Sequence, residues 1–327
     1  MVYLNEFFDI QDLLLNITNF CLGSCVYCNL HELNGYRFDD EISVKNIEDL
    51  LTDQYLDNLK NIHITGGEPI LSPKLLEVCK LVKKYHPDIR ANMPVSGFFP
   101  STTFRHIKKV HQILPQLRVD ISVDGYTKET HEKTRGRGSW KQLMQTIKML
   151  FEIEGLQKQF QFSVMDSNYM EIEHVMDWAK SIGVGFYLCF PREGIRFGHK
   201  KDKSLPHNKT VVDCIDAQIK DTWCKVRPLN AQIWLAQKAN WEGKKVWCNC
   251  NMGRYSIDVA PDGYVYPCMS YYDWQRFGNI KIQTLTDILE SNQTKDVLDG
   301  IKKRLCQPCV MPVGPHKNSF EIDGECV

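Results

Sequence analysis

A chain of 327 residues, 43% of them hydrophobic, can bury a sizeable core, and its length corresponds to about two domains. Its 40 basic residues balance 40 acidic ones, which leaves no broad electrostatic footprint for nucleic acid or an anionic membrane. The start, Met1 to Asp9, has no basic stretch followed by an apolar one and no run approaches a membrane span, so a cytoplasmic location is expected, and 13 cysteines in that compartment argue for metal ligation over disulfides.

Short apolar runs alternate with amphipathic stretches, the pattern of repeated βα units around a parallel sheet. The first strand is expected over Leu13 to Ile17. It is followed by three cysteines on one short loop, Cys21-Leu-Gly-Ser-Cys25-Val-Tyr-Cys28. Three thiolates can hold three irons of a cubane and leave the fourth open for chemistry; a zinc-binding loop is the other reading this spacing permits. The second strand, Ile62 to Thr65, runs into Gly66-Gly67-Glu68-Pro69. Two glycines there allow the backbone to approach a ligand closely, and Glu68 offers a carboxylate to an ammonium group.

Further strands are expected over Ile89 to Ser96, Leu117 to Asp124, Phe160 to Met165 and Val184 to Phe190. On the fourth, Asp120, Ser122 and Asp124 recur at period two and share one face, inside the mouth of a barrel. Leu143, Ile147, Leu150 and Phe151 share a helical face, as do Ile172, Val175, Met176 and Ala179. Cys79 falls among apolar helical residues and reads as core. The βα units end near Phe190, short of a closed eight-unit barrel. Pro191 to Lys209, charged and carrying Gly194, Gly198 and Pro206, reads as a loop leaving it. Trp223, Trp234, Trp241 and Trp247 are expected to bury the contact with the segment behind the barrel.

That segment holds a second cysteine set. Pro261-Asp-Gly263 between alternating runs is a hairpin signal, and the hairpin would return Cys268 towards Cys250. An amphipathic helix around Leu285, Ile288 and Leu289 leads to Cys306-Gln-Pro-Cys309, completing four thiolates. Such a closed site suits zinc or a [4Fe-4S] cluster, with Cys248 a possible substitute ligand.

The C-x3-C-x2-C spacing, with aromatic Tyr27 before the last cysteine, resembles the signature of the radical S-adenosylmethionine (SAM) superfamily. The order of later motifs follows the same family. The resemblance implies an α/β fold, an open partial (β/α)6 TIM-like barrel, in which Cys21, Cys25 and Cys28 hold a [4Fe-4S] cluster whose open iron chelates SAM. It further implies that Gly66, Gly67 and Glu68 meet the SAM amino group, that Ser122 and Asp124 line its pocket, and that Arg135, in His131-Glu-Lys-Thr-Arg135, pairs with its carboxylate. Ser96 stands where the family often has Asn against the ribose.

The C-terminal order resembles twitch, a shortened SPASM-type domain built of a β-hairpin and a helix. One auxiliary [4Fe-4S] cluster on Cys250, Cys268, Cys306 and Cys309 is the expectation, because the positions after Cys309 lack the further cysteines of the longer form. The divisions expected are a barrel over 1–205, a connecting segment over 206–245 and the cluster domain over 246–327. The implied function is reductive cleavage of SAM and hydrogen abstraction from a small molecule or short peptide. A flavodoxin- or ferredoxin-like protein would be the reductant, and the auxiliary cluster would support an oxidation or cross-link. Epimerisation is the alternative, with Cys189 or Cys224 returning a hydrogen atom if either does more than pack; a zinc-binding interaction protein is the remote one. Only 20 residues precede Cys21, which disfavours a long leader-peptide substrate.

Overall fold

The computed structural model describes residues 8–28, 30, 38–191, 209–220, 228–248, 250–268, 275–305, 320–323 and 325–326. Strands and helices alternate as β1 (Asp12–Thr18), α1 (Val44–Leu51), β2 (Asn61–Gly66), α2 (Leu75–Tyr85), β3 (Arg90–Val95) and α3 (Pro100–Ile113). They continue as β4 (Leu117–Ser122), α4 (Lys128–Arg135), α5 (Ser139–Phe151), β5 (Gln157–Ser163), α6 (Ile172–Ser181) and β6 (Gly185–Cys189). Each strand pairs in parallel with the next, which is the expected open barrel. Of the expected loop after Phe190, residues 192–208 lie outside the described residues, and Lys209 opens a helix.

One face of every strand is apolar. Leu13, Leu15, Ile17, Ile62, Ile64, Met93, Val119, Ile121, Phe160 and Phe162 are fully buried. They share one cluster with helix residues such as Ile47, Val78, Val82, Ile107, Val110, Leu143 and Val175. Each such side chain contributes roughly 1.5 to 3 kcal/mol relative to exposure. Cys79 belongs to the same cluster and is buried, as expected. The opposite face is polar: His63 partners Asn92, Asn92 partners Arg118, and Asp120 partners Gln159. The lumen of the open barrel is thus a polar wall, and the carboxylate of Asp120 on it is satisfied. Asp120 accepts from Asn92 Nδ2 at 2.7 Å and from Arg118 Nε at 2.8 Å.

The C-terminal part adds α7 (Lys209–Ile219), α8 (Pro228–Trp241), β7 (Val246–Cys248), β8 (Ser256–Val259), β9 (Tyr264–Tyr266) and β10 (Gly278–Asn279). It ends in α9 (Leu285–Glu290), α10 (Asn292–Lys302), β11 (Phe320–Ile322) and β12 (Glu325–Cys326). The hairpin does not stand apart from the barrel. β8 runs parallel to β1, with Asp12 opposite Ser256 and Leu15 opposite Val259, and the resulting sheet has the order β10-β9-β8-β1-β2-β3-β4-β5-β6. Buried Asn16 fastens this seam, donating to Asp258 Oδ1 at 2.5 Å and to the Val259 carbonyl at 2.9 Å. β12, β11 and β7 form a second, antiparallel sheet. Trp234, on α8, is buried and stacks on Phe190 just beyond β6, at 6.2 Å between centroids. No helix among the described residues is long and apolar enough to cross a membrane.

Candidate active site

The three-cysteine loop begins where β1 ends, and its entry is held by the next strand end. Gly67 N donates to the Thr18 carbonyl at 2.7 Å and Glu68 N to the Phe20 carbonyl at 2.8 Å. The contact is so close that only glycine fits. A Cβ on Gly66, whose φ is +136°, would lie 2.1 Å from Thr18 O, and one on Gly67 would lie 2.4 Å from Phe20 O. The partner of these glycines in the structure is therefore the chain's own backbone before Cys21, where the sequence suggested a ligand.

Within the loop, Cys28 N donates to the Cys25 carbonyl at 3.0 Å, Gly23 N to Cys21 Sγ at 3.4 Å, and Val26 N to the Thr134 carbonyl at 3.0 Å, tying the loop to α4. Burial pushes the Cys21 thiol up to about 12, and the charges of Glu68, Cys25 and Cys28 push in the same direction. Burial also raises Cys25, against the pull of Arg135. These thiols keep their protons until a metal displaces them. Among the described residues no three His, Cys, Asp or Glu side chains converge as ligands of a single ion do; a cubane takes one thiolate per iron and spreads its ligands accordingly.

Glu68 supplies the sharpest local signal. It is 2% exposed, its Oε2 accepts from Ser96 N at 3.1 Å, and its Oε1 is buried with no hydrogen-bond partner among the described residues. Burial lifts this carboxyl to about 7, opposed by the bonds from Ser96 and by Arg135. A buried carboxylate oxygen without a donor carries a desolvation cost that a ligand ammonium would remove. Ser96, for its part, also accepts from Phe98 N at its Oγ, at 3.2 Å.

A second group forms beyond β4. Asp124 is fully buried; its Oδ1 accepts from Ser163 N at 2.7 Å, and its Oδ2 from Arg135 Nε at 2.5 Å and from the Tyr27 hydroxyl at 3.2 Å. Arg135 is the last residue of α4, which stops because Gly136 takes φ +98°. Its guanidinium lies 5.4 Å from the Tyr27 ring centre. Tyr27, Asp124 and Arg135 thus come together with the cysteine loop. Ser122 is buried on β4, and its neighbour in the β4–β5 register is Gln161. One pleat further along, Ser163 partners Cys189, which places Cys189 on the lumen face at the rim. Cys224 lies outside the described residues.

Sequence reasoning missed two residues of this region. His131 is fully buried, and its Nδ1 accepts from Asp124 N at 3.2 Å. Asn168 donates to the carbonyls of Asp124 and Ser163 at 3.0 and 2.9 Å. The available signal was His131 lying four positions before Arg135, hence on the same helix face.

Of the second cysteine set, Cys250 is half-buried and Cys268 buried, while Cys306 and Cys309 lie outside the described residues. The hairpin is present: Gly263 takes φ +91° at its turn, and Val259 pairs with Val265. It does bring the two segments together, since a Cβ on Gly253 would lie 2.9 Å from Cβ of Pro267, the residue before Cys268. Cys248 sits on β7.

The family model of the radical SAM superfamily matches residues 15–179, and that of the SPASM iron–sulfur cluster-binding domain matches residues 248–310. The chain is 24% identical over 331 residues to the antilisterial bacteriocin subtilosin biosynthesis protein AlbA of Bacillus subtilis, covering 95% of this chain and 65% of that protein. It therefore spans just under two thirds of that relative's length. It is 22% identical over 287 residues to a probable GTP 3′,8-cyclase of Methanocaldococcus jannaschii, covering 80% of this chain and 85% of that one. Among solved structures, Streptococcus suis SuiB bound to S-adenosylmethionine matches with a TM-score of 0.63 at 13% identity, over 89% of this chain and 68% of that one. Native anSMEcpe with bound AdoMet and Cp18Cys peptide matches with a TM-score of 0.62 at 18% identity, over 88% of this chain and 81% of that one.

Proposed function

Since the chain belongs to the radical SAM superfamily and carries a C-terminal iron–sulfur cluster-binding SPASM domain, we propose that it is a maturase-type enzyme that reductively cleaves SAM and oxidises a peptide or small molecule. The observation that carries this reading is the buried Oε1 of Glu68 beside the three-cysteine loop, which has no hydrogen-bond partner among the described residues. Cys21, Cys25 and Cys28 would hold the SAM-binding cluster, Glu68 the ammonium of SAM and Arg135 its carboxylate, with Asp124 orienting Arg135. Gly66, Gly67, Ser96, Ser122 and Tyr27 would complete the pocket wall. Cys250, Cys268, Cys306 and Cys309 would hold one auxiliary cluster. When bound, these groups would supply the redox chemistry, reductive cleavage of SAM at the first site and acceptance of an electron at the second.

The protein's own part is to orient the reactants and exclude water. The polar lumen suits a substrate with hydrogen-bonding groups, and two proteins of similar fold have been solved with peptides bound, SuiB with precursor peptide SuiA and anSMEcpe with Cp18Cys. Those likenesses support a peptide substrate here. A flavodoxin- or ferredoxin-like protein is the proposed reductant. We divide the chain into a barrel over 1–205, a connecting segment over 206–245 and a cluster domain over 246–327 that lends β8 to the barrel wall. The seat of Cys189 on the lumen face at the rim favours epimerisation as a second reading, with its thiol as hydrogen donor.

Anaerobic reconstitution should give about eight irons per chain, as two cubanes, and 5′-deoxyadenosine on reduction with SAM. Glu68→Gln should weaken SAM binding by about 1.5 to 3 kcal/mol through loss of a charge-assisted contact. Continued SAM cleavage after replacement of Cys21, Cys25 and Cys28 by Ala would reject the assignment.

A further inference from the structure

The backbone that leads into Cys21 is pinned from more than one side. Glycine-strand amides hold the carbonyls of Thr18 and Phe20, and Phe20 N donates to Thr18 Oγ1 at 3.0 Å. The amide between them, Asn19 N, donates at 3.0 Å to Oε1 of Glu41, a residue that lies beyond the last cysteine of the loop. Glu41 is buried, and a carboxylate in that position needs a counter-charge. Lys74 provides it, with Nζ 2.7 Å from Oε2 and the two side chains only 12% and 2% exposed.

The same ammonium reaches further. Lys74 Nζ donates to the Ile42 carbonyl at 2.7 Å, and Ile42 N donates to the Pro261 carbonyl at 2.6 Å. Pro261 begins the turn between β8 and β9. The approach there is tight, for a Cβ on Gly263 would stand 3.2 Å from Ile42 Cγ2. A continuous set of bonds therefore joins the entry of the three-cysteine loop to the turn of the C-terminal hairpin.

A buried ion pair can serve the fold alone, and apolar groups of similar size often replace such pairs without loss of stability. Here the carboxylate has a second engagement that no apolar group reproduces. We propose that Glu41 is a positioning residue for the three-cysteine loop, fixing the Asn19 amide two residues before Cys21 and tying that point, through Lys74 and Ile42, to the Pro261 turn. This inference rests on the reading that Cys21, Cys25 and Cys28 hold the SAM-binding cluster.

The test compares wild type, Glu41→Gln and the double variant Glu41→Leu/Lys74→Met after anaerobic reconstitution. Thermal melting, bound iron, SAM affinity by equilibrium dialysis and the SAM-induced change in the EPR spectrum of the reduced protein are read on each. Gln keeps an acceptor for Asn19 N, so SAM affinity should stay within about twofold of wild type and the spectral change should persist. The double variant buries no lone charge and should remain folded, melting somewhat below wild type because Asn19 N and the Ile42 carbonyl lose their partners, yet bind SAM about tenfold more weakly with a diminished spectral change. Wild-type SAM affinity in the double variant overturns the proposal. So does a Gln variant as impaired as the double variant, which would assign the effect to the charge pair alone. Absence of any SAM response in wild type overturns the cluster reading and this inference with it, whereas with a normal wild-type response the variants test Glu41 alone.

Discussion

The Nε of Arg135 stands 2.5 Å from Oδ2 of Asp124, with the aspartate fully buried and the arginine 6% exposed. One residue ends α4 and the other follows β4, so the pair joins a helix terminus to the rim of the barrel wall. Because the Nε edge of the guanidinium already faces Asp124, the carboxylate fixes the direction in which the rest of the fork points. Tyr27 adds its hydroxyl to the same Oδ2 and its ring to the same guanidinium, which draws the cysteine loop into the arrangement.

Removal of one partner should therefore be costly. Asp124→Asn keeps the size of the side chain and an acceptor for Ser163 N, but it leaves a buried guanidinium without its counter-charge. The expected loss is about 3 kcal/mol in chemical denaturation. Adding Arg135→Met should recover much of it, because the double variant buries no lone charge. If Asp124→Asn costs under about 1 kcal/mol, the pair behaves as a hydrated surface bridge and its buried geometry is not the one populated in solution.

His131 supports a second expectation, one of pH. Burial lowers its pKa from 6.5 to about 4, so the folded protein holds it neutral. As Nδ1 accepts from Asp124 N, the proton sits on Nε2, which is buried without a partner among the described residues. The unfolded chain takes up a proton as pH falls through 6.5 while the folded chain does not, so stability from this residue is present above that value and is lost towards pH 4. The full swing is on the order of 3 kcal/mol. His131→Asn keeps an acceptor for Asp124 N and removes the titration. Denaturation curves from about pH 7 to about pH 5 should show a shallower decline in the variant than in wild type. Parallel declines would mean that His131 titrates normally and that its environment is wet.

His131 also marks where sequence reading reached its limit. The strands were legible as short apolar runs, such as Leu13 to Ile17, set between amphipathic helical stretches. β5 starts at Gln157, before the expected Phe160, because Gln157, Lys158 and Gln159 carry no apolar signal although Gln159 faces the lumen. The candidate site residues from Cys21 to Arg135 were reached through the resemblance of their motifs and their order to those of the radical SAM superfamily. That β8 would pair with β1 was not legible, since Ser256-Ile-Asp-Val259 says which residues alternate and nothing about which edge they join. Glu41 and His131 were missed for the same reason: a lone acid or imidazole is assigned its role by tertiary partners, Asn19 and Lys74 in one case and Asp124 in the other.

The seam between β1 and β8 shapes the final expectation. Cys268 follows β9 and is buried, and metal ligation there would stabilise the segment around it. The hairpin has a second anchorage, however, in the parallel ladder from Asp12–Ser256 to Leu15–Val259 and in the bonds from Asn16. Cys268→Ala is therefore expected to remain folded while losing the auxiliary cluster, with about four irons left per chain. The residues proposed to bind SAM all lie before the hairpin in sequence, so 5′-deoxyadenosine should still form on reduction with SAM, uncoupled from product. Both are to be quantified in one reaction, with the peptide or small molecule that wild type converts. Full product yield without the second cluster would remove its redox role. Loss of 5′-deoxyadenosine as well, from a variant that melts like wild type, would show that this cysteine serves the primary site.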